Sequence, residues 1–231
     1  MLWMFLSCVL GYQEDGALTT ISIEQTQAAH HYKFDKALKS SLRIVTVNED
    51  FETTGHGSGN YFKIGKHKFV LTAAHLVGDD ELYIDDVNFY IKLKPVFIDK
   101  ISDVAIFIPD EHPEGSKAIE YRINKKKNIA GLTVVHAGYP ADLRKSIFNG
   151  LIATCSENSF IMQSFALPGS SGSVVFDNSG KVVGVLSAVK MGYSGMSPFP
   201  EMYPTLVYVA RTHTYDRAWL KERLVEWKSS K

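Results

Sequence analysis

Most of the chain after residue 42 alternates short apolar, β-branched runs with turn residues, which is the pattern of β-strands. The predicted strands cover residues 42–47, 61–64, 68–72, 81–84, 88–94 and 104–108, and then residues 132–138, 147–154, 159–163, 173–176, 181–189 and 205–210. A stretch with Pro113, Gly115 and three consecutive lysines separates the two groups. Many short strands joined by turns favour a sandwich or barrel architecture over a series of βαβ units.

Helical spacing of apolar residues occurs at the two ends of the sequence. Residues 22–41 and 215–228 carry apolar side chains at intervals of three and four, so we predict one helix before the strands and one after them. Residues 65–67 predict a hairpin tip, and the glycines of residues 55–59 predict a bend between two core strands. This glycine segment leads into a strand and not a helix, which argues against a phosphate-binding loop.

The composition is that of an ordinary globular protein of 231 residues, 45% of them hydrophobic and 22% charged. Lys plus Arg equals Asp plus Glu, 25 of each, so no overall field attracts nucleic acid, and we predict no nucleic-acid partner. Cys8 and Cys155 are the two cysteines, and neither they nor the histidines have the spacing of a metal site. We therefore predict no metal and no cofactor.

The first ten residues are apolar but too short to cross a bilayer as a helix, which takes about 20 residues. They resemble the hydrophobic part of a secretory signal, although the basic leading region of such a signal is missing. Two locations stay open. The protein is periplasmic or extracellular if residues 1–11 act as a signal, and otherwise it is soluble or virion-associated. Membrane contact through this segment would be weak.

Three segments supply candidate catalytic groups in the order His, Asp, Ser. His75 follows an apolar strand and two alanines, Asp103 stands just before the apolar residues 104–108, and Ser171 lies within Gly-Ser-Ser-Gly-Ser. A serine hydroxyl becomes a good nucleophile when a base lies within hydrogen-bond reach, and a carboxylate holds that base in the right tautomer. The three segments therefore predict acyl transfer, with Ser171 as nucleophile, His75 as base and Asp103 as the orienting carboxylate.

The glycine-rich serine segment also predicts an oxyanion hole. A tetrahedral oxyanion is stabilised by backbone N–H groups that point at one position, and a glycine two residues before the nucleophile permits the necessary backbone path. Gly169 and Ser171 supply these N–H groups. If Ser170 were the nucleophile, Pro168 would occupy the oxyanion position, and proline has no N–H to donate.

These segments resemble those of the chymotrypsin-like (trypsin-fold) serine peptidases, and the similarity extends over about residues 42–228, through the strand at residues 181–187 and the C-terminal helix. The resemblance implies an all-β fold of two six-stranded antiparallel β-barrels, with the triad in the cleft between them and a helix at each end. The low cysteine count and the Gly-Ser-Ser-Gly-Ser segment are more similar to compact, disulfide-poor bacterial, phage or viral members than to the animal digestive enzymes.

The resemblance also implies a domain organisation. An N-terminal apolar tail and helical extension would occupy residues 1–41, and the peptidase domain would occupy residues 42–231. Within that domain we expect the first barrel over about residues 42–120, the second over about residues 130–210, and the C-terminal helix over residues 215–228.

Primary specificity is inferred from the same resemblance. Phe165, six residues before the nucleophile, would form the floor of the primary pocket, and Ser187, Ala188 and Val189 would form its wall. Leu186 stands where relatives selective for glutamate or glutamine carry a histidine. With no acid at the floor, we expect a small or apolar residue before the scissile bond.

The sequence thus predicts a serine endopeptidase that hydrolyses protein or peptide substrates through an acyl-enzyme. Two alternatives stay open. One is a peptidase restricted to a single processing cleavage. The other is a catalytically inactive trypsin-fold protein with a binding or structural role, such as a virion or assembly component.

Overall fold

The computed structural model describes residues 34–87, 89–192 and 201–230. Two helices, α1 (residues 34–40) and α2 (Arg217–Ser229), flank thirteen strands. The strands are β1 (Ser41–Val47), β2 (Thr53–Ile64), β3 (His67–Thr72), β4 (Glu81–Asp85), β5 (Tyr90–Asp99), β6 (Val104–Pro109), β7 (Ile119–Glu120), β8 (Thr133–Gly138), β9 (Ser146–Cys155), β10 (Ser159–Gln163), β11 (Val174–Asp177), β12 (Val182–Gly192) and β13 (Glu201–Arg211).

The strands form two closed antiparallel barrels. In the first barrel the order is β1-β4-β5-β6-β3-β2, and pairing of β1 with β2 closes it, while the short β7 adds to β2 in parallel. In the second the order is β10-β13-β12-β11-β8-β9. The predicted all-β fold of two six-stranded barrels with a helix at each end is confirmed. The apolar segment of residues 1–11 and most of the predicted N-terminal helix lie outside the described residues.

The prediction of a bend at residues 55–59 is wrong, because these residues are part of the continuous strand β2. Here glycine permits close packing within a sheet. A Cβ on Gly57 would lie 2.5 Å from a Leu76 methyl carbon and 3.1 Å from the Ser171 carbonyl oxygen, so the second barrel packs directly on this strand. The hairpin tip is also shorter than predicted, since Ile64 pairs with His67 and the latter is buried at the start of β3.

Aromatic side chains join the barrels on one side of their interface. Phe62 of β2 packs edge-on against Tyr121, with ring centroids 5.4 Å apart, and lies 6.1 Å from Phe176 of β11. Helix α2 follows the second barrel but packs on the first, where Trp219 meets Phe97 of β5 at 4.9 Å. The site therefore lies between two barrels that are held by a common core.

A buried amide links the N-terminal helix to both barrels. The Asn60 side chain on β2 donates to Ser40 Oγ at 2.8 Å, and its oxygen accepts the N–H of Val174 at 2.9 Å. Asn60 is completely buried, and both ends of its amide are satisfied. Losing either partner would leave a buried polar group unpaired, so Asn60 favours one relative position of the barrels.

No helix in the described ranges is long and apolar enough to cross a membrane.

Candidate active site

His75 and Asp103 meet at one edge of the first barrel. His75 lies in the short 3₁₀ turn Ala74–Leu76 that follows β3, and Asp103 directly precedes β6, the partner of β3. His75 Nδ1 is 2.8 Å from Asp103 Oδ2, and the backbone N–H of His75 donates to Asp103 Oδ1 at 2.8 Å. The carboxylate thus holds the imidazole by both its ring and its backbone.

Hydrogen bonds stabilise the ionised form of the Asp103 carboxylate. Burial alone would raise its pKa, but hydrogen bonds from His75 and Ser187 outweigh that effect, so the pKa lies below its ordinary value. Asp103 has φ +52°, a left-handed conformation that aspartate tolerates better than most residues. With an ionised carboxylate at Nδ1, the proton of neutral His75 resides on Nδ1, and Nε2 is left as the basic nitrogen.

The second barrel contributes Ser171 and Ser187. The Ser187 hydroxyl donates to Asp103 Oδ2, and the Ser187 carbonyl oxygen lies 3.5 Å from Ser171 Oγ. Sequence reasoning placed Ser187 in the pocket wall and missed its bond to Asp103. Among the described residues, no hydrogen bond joins His75 to Ser171. The structure therefore pairs His75 directly with Asp103, and Ser187 connects Asp103 to Ser171.

The neighbouring serine has a different environment. Ser170 is 1% exposed, and its hydroxyl accepts the backbone N–H of Leu167 at 3.1 Å, whereas Ser171 is only partly buried. Ser170 therefore serves the turn itself, and Ser171 is the serine available to a ligand.

The turn around Ser171 leaves two N–H groups unused. In the described part of the chain, the N–H groups of Gly169 and Ser171 donate no hydrogen bond, while that of Ser170 donates to Leu167 and that of Gly172 to Leu186. Gly169 has φ +90°, and a Cβ there would lie 2.2 Å from His56 Nε2 and 2.4 Å from the Tyr139 carbonyl oxygen. Only glycine fits this backbone path, as the sequence analysis expected for an oxyanion hole.

The residues predicted to bind substrate do not all line one cavity. Ser187 and Ala188 line a cavity of about 390 Å³ together with Asp103 and Tyr208. Val189 instead packs against the core of the second barrel. A larger cavity, of about 630 Å³, contains none of the predicted site residues.

Phe165 is 38% exposed and packs against Phe148 with ring centroids 5.5 Å apart, and Phe148 in turn packs against the buried His136 ring at 5.3 Å. The Ser164 hydroxyl donates to Asn149 O at 2.8 Å, so His136 Nε2, 3.0 Å from Ser164 Oγ, is the donor in that contact. Burial lowers the pKa of His136 to about 4. The predicted pocket floor therefore lies over a neutral, buried histidine.

Two closed six-stranded barrels with a His–Asp pair, a serine and two unused N–H groups between them define the chymotrypsin-like class of fold. The chain belongs to the trypsin-like peptidase domain family, whose model matches residues 57–185, more than half of the sequence. The predicted family is thereby confirmed. No curated protein matches the chain.

Solved structures with a similar fold include the HtrA-type protease AlgW with tripeptide, at 15% identity and TM-score 0.63, over 80% of this chain and 60% of that one. They also include a serine endoprotease from Yersinia pestis, at 16% identity and TM-score 0.63, over 85% of this chain and 66% of that one. The chain thus spans less than two thirds of either relative, and at these identities the similarity is one of fold.

Proposed function

We propose that the protein is a serine endopeptidase that cleaves peptide bonds through an acyl-enzyme. The observation that carries this proposal is the double hydrogen bond of Asp103 to His75, beside a serine whose turn presents two unused N–H groups. An imidazole held in this way keeps Nε2 as the base, which a serine nucleophile requires.

In the proposed reaction, Ser171 Oγ attacks the carbonyl carbon of the scissile bond and His75 Nε2 accepts the hydroxyl proton. The N–H groups of Gly169 and Ser171 bind the oxyanion that forms. As the C–N bond breaks, His75 returns the proton to the leaving amine. Water then attacks the ester by the same route and releases the acid with free Ser171. No hydrogen bond joins His75 to Ser171 among the described residues, and catalytic hydrogen bonds of this kind often tighten only when substrate binds.

We also propose that the primary pocket selects a small or apolar side chain. The supporting observations are the partly exposed aromatic ring of Phe165 and the burial of Leu186, which is 1% exposed within the core of the second barrel. Profiling against a mixture of peptides should give cleavage after small or apolar residues. Dominant cleavage after Lys, Arg or Glu would contradict this preference.

The test of the catalytic proposal is reaction with a fluorophosphonate probe, followed by mass spectrometry. Folded protein should be labelled at Ser171, and His75→Ala should abolish the label while keeping the same thermal unfolding midpoint. Heat-unfolded protein is the control that must stay unlabelled. A label on Ser170 would overturn the assignment of the nucleophile.

The absence of a hydrogen bond between His75 and Ser171 is the one observation that favours the alternative, an inactive trypsin-fold protein with a binding or structural role. Folded protein that neither reacts with the probe nor cleaves any peptide, even after truncation to a start near Ser41, would support that alternative.

A further inference from the structure

We propose that Ser58 is a positioning residue that sets the geometry of the oxyanion hole from the opposite barrel. Ser58 lies on β2 of the first barrel, in the glycine-rich segment that sequence analysis interpreted as a bend. Its hydroxyl holds the peptide group that connects the two oxyanion donors. This inference rests on the proposed function, because it concerns how the donors at Gly169 and Ser171 are aligned.

Ser58 makes four hydrogen bonds, and each links β2 to a different group. Its hydroxyl donates to Gly169 O at 2.7 Å and accepts the N–H of Tyr139 at 2.9 Å. Its backbone N–H donates to Ser171 O at 2.7 Å, and its carbonyl accepts the Thr72 hydroxyl at 2.7 Å. Ser58 is completely buried, so no water competes for these bonds.

The bond to Gly169 O acts on the peptide between the two donors. A trans peptide group is planar, so fixing the Gly169 carbonyl also fixes the Ser170 N–H, which lies in the same plane and points the opposite way. The Gly169 N–H precedes this plane and the Ser171 N–H follows it. Rotation of the plane would therefore turn the two N–H groups away from a common point. Because glycine at residue 169 provides little resistance to such rotation, an external hydrogen bond is needed to prevent it.

The Tyr139 bond extends the same control to the preceding peptide. The Pro168 carbonyl, which lies opposite the Gly169 N–H, accepts the N–H of Ala141 at 2.7 Å. Ala141 has the left-handed values φ 47° and ψ 44°, a conformation that costs a non-glycine residue energy. Since Ser58 holds Tyr139 at the start of this segment, it anchors both peptides that flank Gly169, one directly and one through residues 139–141.

The remaining carbonyl groups of the turn also accept hydrogen bonds. Ser170 O accepts the N–H of Ser173 at 3.0 Å, and Ser171 O accepts the N–H of Ser58. Every carbonyl from residue 168 to residue 171 thus accepts a hydrogen bond, whereas the N–H groups of residues 169 and 171 have no acceptor among the described residues. Ser58 supplies two of the four donors. Its role is therefore larger than that of one ordinary buried hydrogen bond.

The test compares Ser58→Ala with Ser41→Ala. Ser41 is an equally buried serine on β1, and its hydroxyl also crosses between the barrels, donating to Ala137 O at 3.2 Å. It makes no bond to residues 167–172. Ser58→Ala loses two buried side-chain hydrogen bonds and Ser41→Ala loses one, but only Ser58→Ala releases the oxyanion turn. The measurements are kcat and KM on a peptide substrate, the rate of fluorophosphonate labelling, and the thermal unfolding midpoint.

We expect Ser58→Ala to lower kcat and the labelling rate by about 10- to 100-fold, less than the loss of an oxyanion donor itself, with KM within about twofold. Ser41→Ala should keep wild-type kcat and labelling. Equal rates for the two variants, or a change confined to KM, would overturn the inference. If Ser58→Ala does not fold, Ser58→Cys retains a small side chain with a weaker donor, and wild-type kcat in that variant would also overturn it. Wild-type protein that does not react at all instead refutes the proposed function.

Discussion

The two barrels have the same number of strands, yet they contribute different kinds of group to the site. The first barrel supplies side chains at strand ends: His75 after β3 and Asp103 before β6. The second supplies mainly backbone, with the N–H groups of Gly169 and Ser171 and the carbonyl of Ser187 placed around one hydroxyl. Side-chain groups depend on residue identity, whereas backbone groups depend on conformation. The two halves of the site should therefore respond to different substitutions.

The largest effect is expected in the first barrel, at Asp103. In Asp103→Asn the amide no longer holds His75 with Nε2 as the free base, so kcat should fall by about 10⁴-fold with the fold unchanged. The fall in kcat is measured by steady-state cleavage of a peptide substrate. Asp110→Asn removes a similar charge from the exposed ion pair with Lys94 and should leave kcat unaltered. A loss smaller than about tenfold in Asp103→Asn would show that the carboxylate does not orient the base.

The next largest effect is expected from a backbone change in the second barrel. Gly169→Ala places a Cβ within 2.4 Å of two neighbours at φ +90°, so the turn must shift, and kcat should fall by at least about 10²-fold. The matched control is Gly131→Ala, at φ +81° with no atom within 4 Å of the new Cβ. This control should lose about 1 kcal/mol of unfolding free energy and retain full activity. Wild-type kcat in Gly169→Ala would refute the oxyanion assignment.

The third prediction concerns the pH dependence of stability and involves His136, a residue of the second barrel. His136 has a pKa of about 4 when folded and about 6.5 when unfolded, so between these values the unfolded chain binds a proton that the folded chain does not. The free energy of unfolding should therefore fall by about 3 kcal/mol through this group as the pH falls from 6.5 to 4. Urea titrations at several pH values measure the slope.

His136→Gln keeps a donor for Ser164 but cannot be protonated, so the slope should become shallower over that pH range. Part of the slope that remains in this variant comes from two other histidines, the buried His67 and the partly buried His213. Burial lowers the pKa of each of them as well. An unchanged slope in His136→Gln would mean that this residue is not the group that titrates.

The smallest effect is expected where the two barrels meet, at Ser187. Ser187→Ala removes one hydrogen bond to a carboxylate that His75 still holds, so kcat should fall by about tenfold. In the Asp103→Asn background the same change should cost little, because the charged acceptor is gone. Equal losses in both backgrounds would show that Ser187 acts elsewhere than on Asp103.

The sequence was sufficient to predict the fold and to propose candidate groups for the site, because both leave local signals. Strand alternation marked most strands within a few residues, and each catalytic candidate lies next to its own strand. The contacts between barrels have no such signal. Ser58 lies between two glycines, which indicates that another part of the backbone packs closely against it. The residue that does so, Gly169, is more than 100 residues away in sequence. The left-handed conformation of Ala141 likewise depends on the Pro168 carbonyl and not on its neighbours in sequence.

The buried amide of Asn60 also has a consequence for how the protein is made. Its oxygen has no partner until Val174 arrives, so the first barrel exposes an unfinished interface while the rest of the chain is being synthesised. During this period a nascent chain already carries His75 and Asp103 but has no nucleophile. Domains generally fold in the order in which they leave the ribosome. Under the proposed function, a nascent chain therefore cannot cleave peptides before its serine segment has been synthesised.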